Sequence, residues 1–184
     1  MILQVDKKGG AIMEKTKKCR DSLVVKTSIV LPPDTNNIGT MFGGKLMAQI
    51  DDIAAISAMR HARSHVVTAS TDSVDFLHPI SEGNAVCLES FVTYTGRTSM
   101  EVVVKVVAED LQSGVQNLCA LSFLTFVAID EKGNPIPVPR LISETETEKA
   151  LYESAKERAQ ARKKRRTDTQ YIADTIGNDL VWSL

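Results

Sequence analysis

The sequence predicts an α+β fold in which an antiparallel sheet wraps around one long central helix. Three observations lead to this prediction: a β-branched run comes first, a stretch with apolar residues at helical spacing follows it, and four further strand-like runs come after that stretch. An antiparallel sheet needs one face covered, and the apolar helix is the element that can cover it. A second, mostly charged helix is expected outside this core, in contact with solvent.

The first strand and the central helix are separated by a loop rich in turn formers. Residues 22–31 are β-branched with partial alternation, and Pro32-Pro33 end this strand because proline lacks a backbone donor. Residues 45–62 are predicted to be helical. They place one apolar stripe on a single face, made of Leu46, Ile50, Ile53 and Ser57 and widened by Met47, Ala54 and Ala58.

The four later strands are predicted to pair as an antiparallel meander. They cover residues 66–76, 84–95, 98–110 and 117–129 and are separated by glycine or polar turns. A proline-rich connector leads to a charged helix over residues 143–166, which begins with a Ser-x-x-Glu or Thr-x-x-Glu capping pattern. The residues from there to Leu184 are expected to form a partly ordered or disordered tail.

These elements divide the chain into three parts. We expect an N-terminal extension at residues 1–20, one core domain at 21–139, and a C-terminal helix and tail at 140–184. A length of 184 residues, with 43% hydrophobic and 24% charged side chains, suits one well-buried globular domain.

Charge and cysteine content exclude several classes of function. The formal net charge is −1, so nothing in the overall balance attracts nucleic acid or an anionic membrane. The three cysteines are isolated and form no CxxC pair, which fits a reducing compartment. The first twenty residues lack the apolar region of a signal peptide, and no apolar run reaches about 18 residues. A cytoplasmic protein without a membrane span is therefore expected.

Asp51 and Asp52 interrupt the apolar helix. The helical neighbours of Asp51 are all apolar: Met47, Ala48, Ala54 and Ala55. A carboxylate there costs stability unless it has partners or a function, and such a site suits a general base or a nucleophile. The alternative is that one of the two carboxylates simply faces water beside the sheet edge, since adjacent helical residues point about 100° apart.

Two loops offer groups that can bind anions. The segment from Gly39 to Gly44 precedes the helix, where paired glycines permit close approach to backbone N–H groups; its alternative reading is a tight turn into the helix. The turn at Arg97, Thr98 and Ser99 offers a cation and two hydroxyls to a phosphate, or else forms an ordinary polar hairpin.

The histidines do not form a recognisable catalytic or metal-binding set. His61 and His65 stand four residues apart near the helix end, but the glutamate of an HExxH motif is missing and no third ligand is evident. Together with His78 they are expected to cap the helix or pack at the surface. No metal site is therefore predicted.

Three motifs occur together and in order: TNNIGTMFGGKLMAQIDDIAAISAMRHA, VVTASTDSVDFLHPI and VTYTGRTSMEVVVKV. Together they resemble the cytosolic acyl-CoA thioester hydrolase branch of the hotdog thioesterases, over roughly residues 22–139. The resemblance implies a hotdog fold whose subunits pair their sheets edge to edge, with active sites at that interface. It also implies a homo-oligomer, a dimer at least, which we expect to be a trimer of dimers.

The resemblance also implies roles for particular residues. Asn36 and Asp51 would meet from different subunits, Asn36 orienting water or the thioester carbonyl and Asp51 acting as general base or as nucleophile through an anhydride. Backbone amides at Gly43 and Gly44 would stabilise the oxyanion. Thr40 departs from related branches, which carry a catalytic Asp or Asn at that position, and is left as a water-positioning group. The turn of Arg97, Thr98 and Ser99 would bind CoA, near its phosphates or pantetheine arm.

The implied reaction is hydrolysis of fatty acyl-CoA to free fatty acid and CoA, with no cofactor beyond the CoA of substrate and product. The alternative is a non-catalytic acyl-CoA-binding hotdog regulator of DNA. Such a regulator needs a helix-turn-helix segment, for which the residues ahead of the first strand are too few. A dehydratase of the same fold would need Asp and His together on the helix, yet His61 lies near its end.

Overall fold

The computed structural model describes residues 16–177, and its main body is a five-stranded antiparallel sheet packed on the helix α1 (Gly43–Ala62). The helix contacts all five strands of that sheet. Two further strands form a small separate sheet, and a second helix, α2 (Glu146–Ile176), follows them. The strands are β1 (Thr16–Lys18), β2 (Val24–Ile29), β3 (His65–Phe76), β4 (Ala85–Thr95), β5 (Ser99–Glu109), β6 (Gln116–Ile129) and β7 (Arg140–Ile142).

The core forms where the apolar stripe of α1 meets the inner face of the sheet. Ile50 and Ile53 are buried against alternating residues of the central strands, such as Val102 and Val104 of β5. Burying each large aliphatic side chain contributes about 1.5–3 kcal/mol. The predicted central helix and the predicted strands are therefore confirmed, with shifts of a few residues at their ends.

The predicted meander is wrong in one respect, which is the place of β3. The strand order is β2-β4-β5-β6-β3, so β3 pairs with β6 and not with β4, the strand that follows it in the chain. The sheet curves around α1 so that strands cover the helix from both sides. The strand before the helix and the strand after it therefore occupy opposite edges, and β4, β5 and β6 form a meander between them.

The chain at both ends of the main body is ordered in ways that local patterns do not reveal. β1 pairs in parallel with β7, joining Thr16 to Arg140 and Lys18 to Ile142. β1 falls within the predicted extension 1–20, of which residues 1–15 lie outside the described part. The division at 1–20, 21–139 and 140–184 stays a prediction.

The predicted C-terminal helix is confirmed and is longer than expected. It begins with a capping box in which Thr145 and Glu148 bond each other's backbone amides. It then continues past Arg166 to Ile176, so the tail predicted for that stretch is helical at least to there. Residues 167–176 contain few strong helix formers, and a side-chain hydrogen bond of 2.8 Å from Gln170 to Asp174 spans one turn of this stretch. Residues 178–184 lie outside the described part.

Within residues 16–177, no helix has the length and apolar character needed to cross a membrane.

The three cysteines are free thiols with different surroundings. Burial, reinforced by the negative charge of Glu148, raises the pKa of the Cys19 thiol to about 12. Burial also raises the pKa of the Cys119 thiol. Cys87 is only half-buried.

At pH 8 we expect an aromatic disulfide reagent to modify Cys87 first and the other two cysteines only after unfolding, because the reaction requires both a thiolate and access of the reagent to it. Mass spectrometry of the labelled native protein checks this, and early labelling of Cys19 would contradict it.

Candidate active site

Asp51 lies on the side of α1 that faces the edge strand β3. Its Oδ1 accepts a hydrogen bond of 3.0 Å from the Thr68 hydroxyl of that strand. The Asp51 side chain is half-buried, whereas its neighbour Asp52 is exposed. The alternative in which one of the two carboxylates faces water therefore holds for Asp52. The Asp51 carboxylate is therefore partly open to solvent, and the hydrogen bond from Thr68 fixes its orientation.

The loop before α1 holds Asn36 through its own side chain. The Asn36 Oδ1 accepts from the backbone amides of Ile38 and Thr40 at 3.0 and 3.2 Å. Its Nδ2 donates to the Thr40 hydroxyl at 2.9 Å. Gly39 allows this tight turn because its φ of +75° lies in the left-handed region. The amide of Asn36 retains one N–H, and Thr40 fixes the direction of that amide group.

Gly43 and Gly44 form the first turn of α1. Their backbone amides find no acceptor within residues 16–177, so two N–H groups at the positive end of the helix stand open. A Cβ on Gly44 would come within 2.7 Å of the Phe42 ring, and a Cβ on Gly43 within 3.5 Å of the Phe76 ring. Glycine therefore lets two aromatic rings lie close against this helix end.

A groove of about 300 Å³ opens beside these amides. It is bounded by Thr40 and Gly43 on one side and by the end of β3 and the segment after it on the other. Its lining is mainly apolar, with Met41, Leu46, Phe76, Leu77, Pro79 and Ile80 among the walls. Such a groove suits an apolar chain whose polar head lies at the open N–H groups.

The predicted catalytic and oxyanion residues fall into two groups within one protomer. Asn36, Thr40, Gly43 and Gly44 gather around the N-terminus of α1, which we call the amide half-site. Asp51 and Thr68 form the carboxylate half-site. Asp51 is two helical turns from Gly43, about 12 Å along the axis. One carbonyl group cannot contact both half-sites of the same protomer.

The turn of Arg97, Thr98 and Ser99 joins β4 to β5 at the other end of the sheet from the amide half-site. Its backbone is closed by the bond from the Gly96 amide to the Ser99 carbonyl, at 2.8 Å. Arg97 is exposed, and the two hydroxyl residues are half-buried. Within one protomer the turn therefore lies apart from Gly43 and Gly44.

Of the three histidines, His61 is packed in the interior and not at the surface as predicted. It is fully buried, with Nε2 2.9 Å from the Pro139 carbonyl, and burial lowers its pKa. His65 is exposed at the start of β3, and His78 lines the groove. In the described part of the chain, no cluster of His, Cys, Asp or Glu could hold a metal ion.

The edge strand β3 runs along both half-sites. It has twelve residues, and within residues 16–177 it pairs on one side only, with β6. Thr68 of the carboxylate half-site lies in its first half, and Phe76 beside the amide half-site is its last residue. A long edge with unpaired backbone groups is a surface on which another strand can add.

Comparison with known proteins identifies the family. The model of the thioesterase superfamily matches residues 38–115. A Bacillus subtilis protein named as an uncharacterized acyl-CoA thioester hydrolase is 56% identical over 168 residues, which is 91% of this chain and 98% of that protein. The chain belongs to the acyl-CoA thioester hydrolases of the thioesterase superfamily. The hotdog fold expected from the sequence is thereby confirmed.

Other acyl-CoA thioester hydrolases match over different shares of their length. The rat cytosolic acyl coenzyme A thioester hydrolase is 36% identical over 145 residues, which is 77% of this chain but only 38% of that protein. A structure of the Staphylococcus aureus acyl-CoA hydrolase with butyryl coenzyme A, coenzyme A and coenzyme A disulfide is 46% identical, with a TM-score of 0.84 over 88% of this chain and 98% of that one. A hexameric acyl-CoA thioesterase has 54% identity and a TM-score of 0.81 over 83% and 97% of the two chains.

The Staphylococcus aureus hydrolase has also been solved with single alanine substitutions of an aspartate, a threonine and an asparagine, numbered 43, 60 and 28 in that enzyme. The intervals between these three positions are the same as those between Asn36, Asp51 and Thr68 in this hydrolase. Thr68 is the residue that sequence patterns did not reveal. The available signal was a polar residue at an inward-facing position of β3, where the alternation calls for an apolar one.

Proposed function

We propose that this chain hydrolyses fatty acyl-CoA thioesters to a free fatty acid and CoA, at a site shared by two copies. The observation that carries the proposal is the division of the site: each protomer has a carboxylate half-site and an amide half-site, too far apart to act on one carbonyl. Both flank the unpaired edge of β3. A second copy is therefore required to supply the complementary half.

Antiparallel pairing of β3 with its copy brings the two kinds of half-site together. A two-fold axis near the middle of the strand would set Thr68 of one copy opposite Phe76 of the other. Asp51 would then face Asn36 and the open Gly43 and Gly44 amides of the partner copy. The hexameric relative supports further assembly, and we propose a trimer of dimers here as well.

In this cleft Asp51 would take a proton from a water molecule whose oxygen attacks the thioester carbonyl carbon. The carbonyl oxygen would become negative and accept from the Gly43 and Gly44 amides, while Asn36 directs the water or the carbonyl. The C–S bond then breaks, and the CoA thiolate leaves and takes up the proton. In the alternative, Asp51 attacks the carbonyl carbon itself, the C–S bond breaks with departure of the CoA thiolate, and water then hydrolyses the resulting anhydride to the fatty acid and the free Asp51 carboxylate.

The remaining predicted contacts follow from the same arrangement. The Thr40 hydroxyl would orient the Asn36 amide by accepting its hydrogen bond of 2.9 Å. This positioning role fits the contact better than direct placement of the water molecule by Thr40. Arg97, Thr98 and Ser99 lie at the same end of the sheet as the start of β3, with β6 between them. An extended CoA arm leaving the cleft in that direction would meet them with its phosphates.

Mixing two inactive variants tests whether the site is shared. Asn36→Asp keeps the acceptor oxygen of the loop and removes the free amide N–H, and Asp51→Asn removes the carboxylate. Each variant alone should be almost inactive. Co-expressed with different tags, they should recover about a quarter of the wild-type rate, because random pairing makes half the dimers mixed and each mixed dimer has one intact site.

The rate is measured as release of free CoA with a thiol reagent, and mass spectrometry checks that mixed dimers form. The control is co-expression of two tagged copies of Asp51→Asn, which should stay inactive. If verified mixed dimers are as inactive as the parents, Asn36 and Asp51 do not act across two copies. Absence of CoA release by the wild-type chain from any acyl length would instead favour the acyl-CoA-binding regulator.

A further inference from the structure

Three arginines of α2 meet a pair of carboxylates on the outer face of the sheet. Arg158 binds Glu101 of β5, which is fully buried. Arg162 and Arg165 both bind Asp72 of β3, whose side chain is only 7% exposed. The charged helix contacts the sheet through these ion pairs, in addition to the ring contact of Tyr152 with Tyr94 and the buried Ala155. The ion pairs of Arg162 and Arg165 therefore join α2 to β3, the strand that also carries Thr68.

The contacts at Asp72 form a clamp, which we define as Ser70, Asp72, Arg162 and Arg165. Arg165 Nη2 lies 2.6 Å from the Asp72 carboxylate and 2.8 Å from the Ser70 hydroxyl. The same hydroxyl donates to Asp72 at 2.8 Å. Arg162 binds the other carboxylate oxygen of Asp72. Two cations, the Ser70 hydroxyl and, at 3.5 Å, the Thr125 hydroxyl therefore satisfy a largely buried carboxylate.

The clamp contacts β3 where the pairing of that strand with β6 is irregular. The register of β3 against β6 shifts once between Thr68 and Ser70 and again between Thr71 and Ser73. Each shift is a bulge with one unpaired residue, and Asp72 is the second of these. The first bulge reverses the alternation. It allows Thr68 to point inward to α1 while Ser70 points outward to α2.

We propose that α2 is a positioning element for the hydrolysis reaction. By holding Asp72 and Ser70, Arg162 and Arg165 fix the bulged part of β3, and so fix the direction in which the Thr68 hydroxyl meets Asp51. This inference rests on the proposed function, since it takes Asp51 as the reacting carboxylate. The two bulges weaken the pairing of β3 with β6, so an anchor outside that ladder adds to the order of the strand.

A double-mutant cycle tests this route. Arg165 is suited to substitution because its side chain is 47% exposed and its loss should cost little stability. Arg165→Met should lower kcat about tenfold with KM changed less than about twofold, since small displacements of a reacting group cost rate. In a Thr68→Val background the same substitution should lower kcat less than about twofold, because the hydroxyl it positions is already absent.

Two controls separate positioning from stability and charge. Arg166→Met removes the same charge from an adjacent, exposed residue that has no partner within residues 16–177, and should leave kcat unchanged. Glu101→Gln weakens the ion pair to β5 and should lower Tm while leaving kcat at 25 °C unchanged. Hydrogen exchange should increase in the peptides of β3 for Arg165→Met and not for Glu101→Gln.

Equal kcat losses from Arg165→Met with and without the Thr68 hydroxyl would overturn the inference. A rise of KM alone would also overturn it, because that result means Arg165 contacts substrate. So would a loss of kcat in Glu101→Gln as large as that in Arg165→Met. The proposed function is tested separately: wild-type activity of Asp51→Asn would refute the role of Asp51 whatever the cycle shows.

Discussion

Asp51→Asn is expected to lower kcat for acyl-CoA hydrolysis about 10²- to 10⁴-fold, the range that a positioned general base contributes. The amide has nearly the same shape and can still accept the Thr68 hydrogen bond, so the half-site should remain intact. What it cannot do is take a proton from water or attack a carbonyl. Steady-state rates of CoA release over several acyl lengths measure the effect.

Asp52→Asn is the matched control for this substitution. It removes the same charge from the next residue of α1, whose side chain is exposed. Its activity should stay within about twofold of wild type, because exposed side chains away from the cleft contribute little. Gel filtration of both variants should give the wild-type elution volume. Dissociation of Asp51→Asn would show instead that this carboxylate is needed for assembly.

Arg158→Met is expected to lower the free energy of unfolding by about 3–5 kcal/mol, because it leaves a buried carboxylate without its main partner. The Arg158 guanidinium donates to both oxygens of Glu101 at 2.8 to 3.3 Å and lies 3.9 Å from the centre of the Phe123 ring. Thr93 supplies one further bond to Glu101, at 3.0 Å. Arg162 is 3.8 Å from that carboxylate and should compensate only in part.

Urea unfolding followed by circular dichroism measures this loss. The double variant Arg158→Met/Glu101→Leu should recover most of the stability, since replacing a buried ion pair by apolar residues is often neutral. Arg166→Met again serves as the control for lost charge. If the double variant is as unstable as Arg158→Met alone, the cost comes from packing on Phe123 and not from the unpaired carboxylate.

Local patterns predicted the elements of this fold well, since α1 has a clear apolar stripe and the strands are β-branched runs. The position of β3 could not be predicted in this way, because strand order depends on how the sheet closes around the helix. The two bulges in β3 arise only from its pairing with β6. Glu101 lies within a β-branched run, and no local pattern indicates that Arg158 of α2 will pair with it.

The candidate site was predictable to a different degree for each residue. Asp51 was conspicuous because it interrupts an apolar stripe, and the glycines because they precede a helix. Asn36 was indicated only by the family resemblance, since an asparagine in a turn-rich loop is ordinary. Thr68 was missed because its importance depends on a contact with Asp51 of α1, and no spacing along the chain encodes that contact.

The place of β6 determines how much of this chain can be excised as a folding unit. The superfamily model matches residues 38–115, which contain α1, β3, β4 and β5 but stop just before β6 at Gln116. β6 is the strand that joins β3 to the rest of the sheet. A fragment cut to the matched residues would leave β3 with no neighbour in its own chain, and Thr68 would no longer be held beside Asp51. The segment that the superfamily model matches is therefore not by itself a complete catalytic domain.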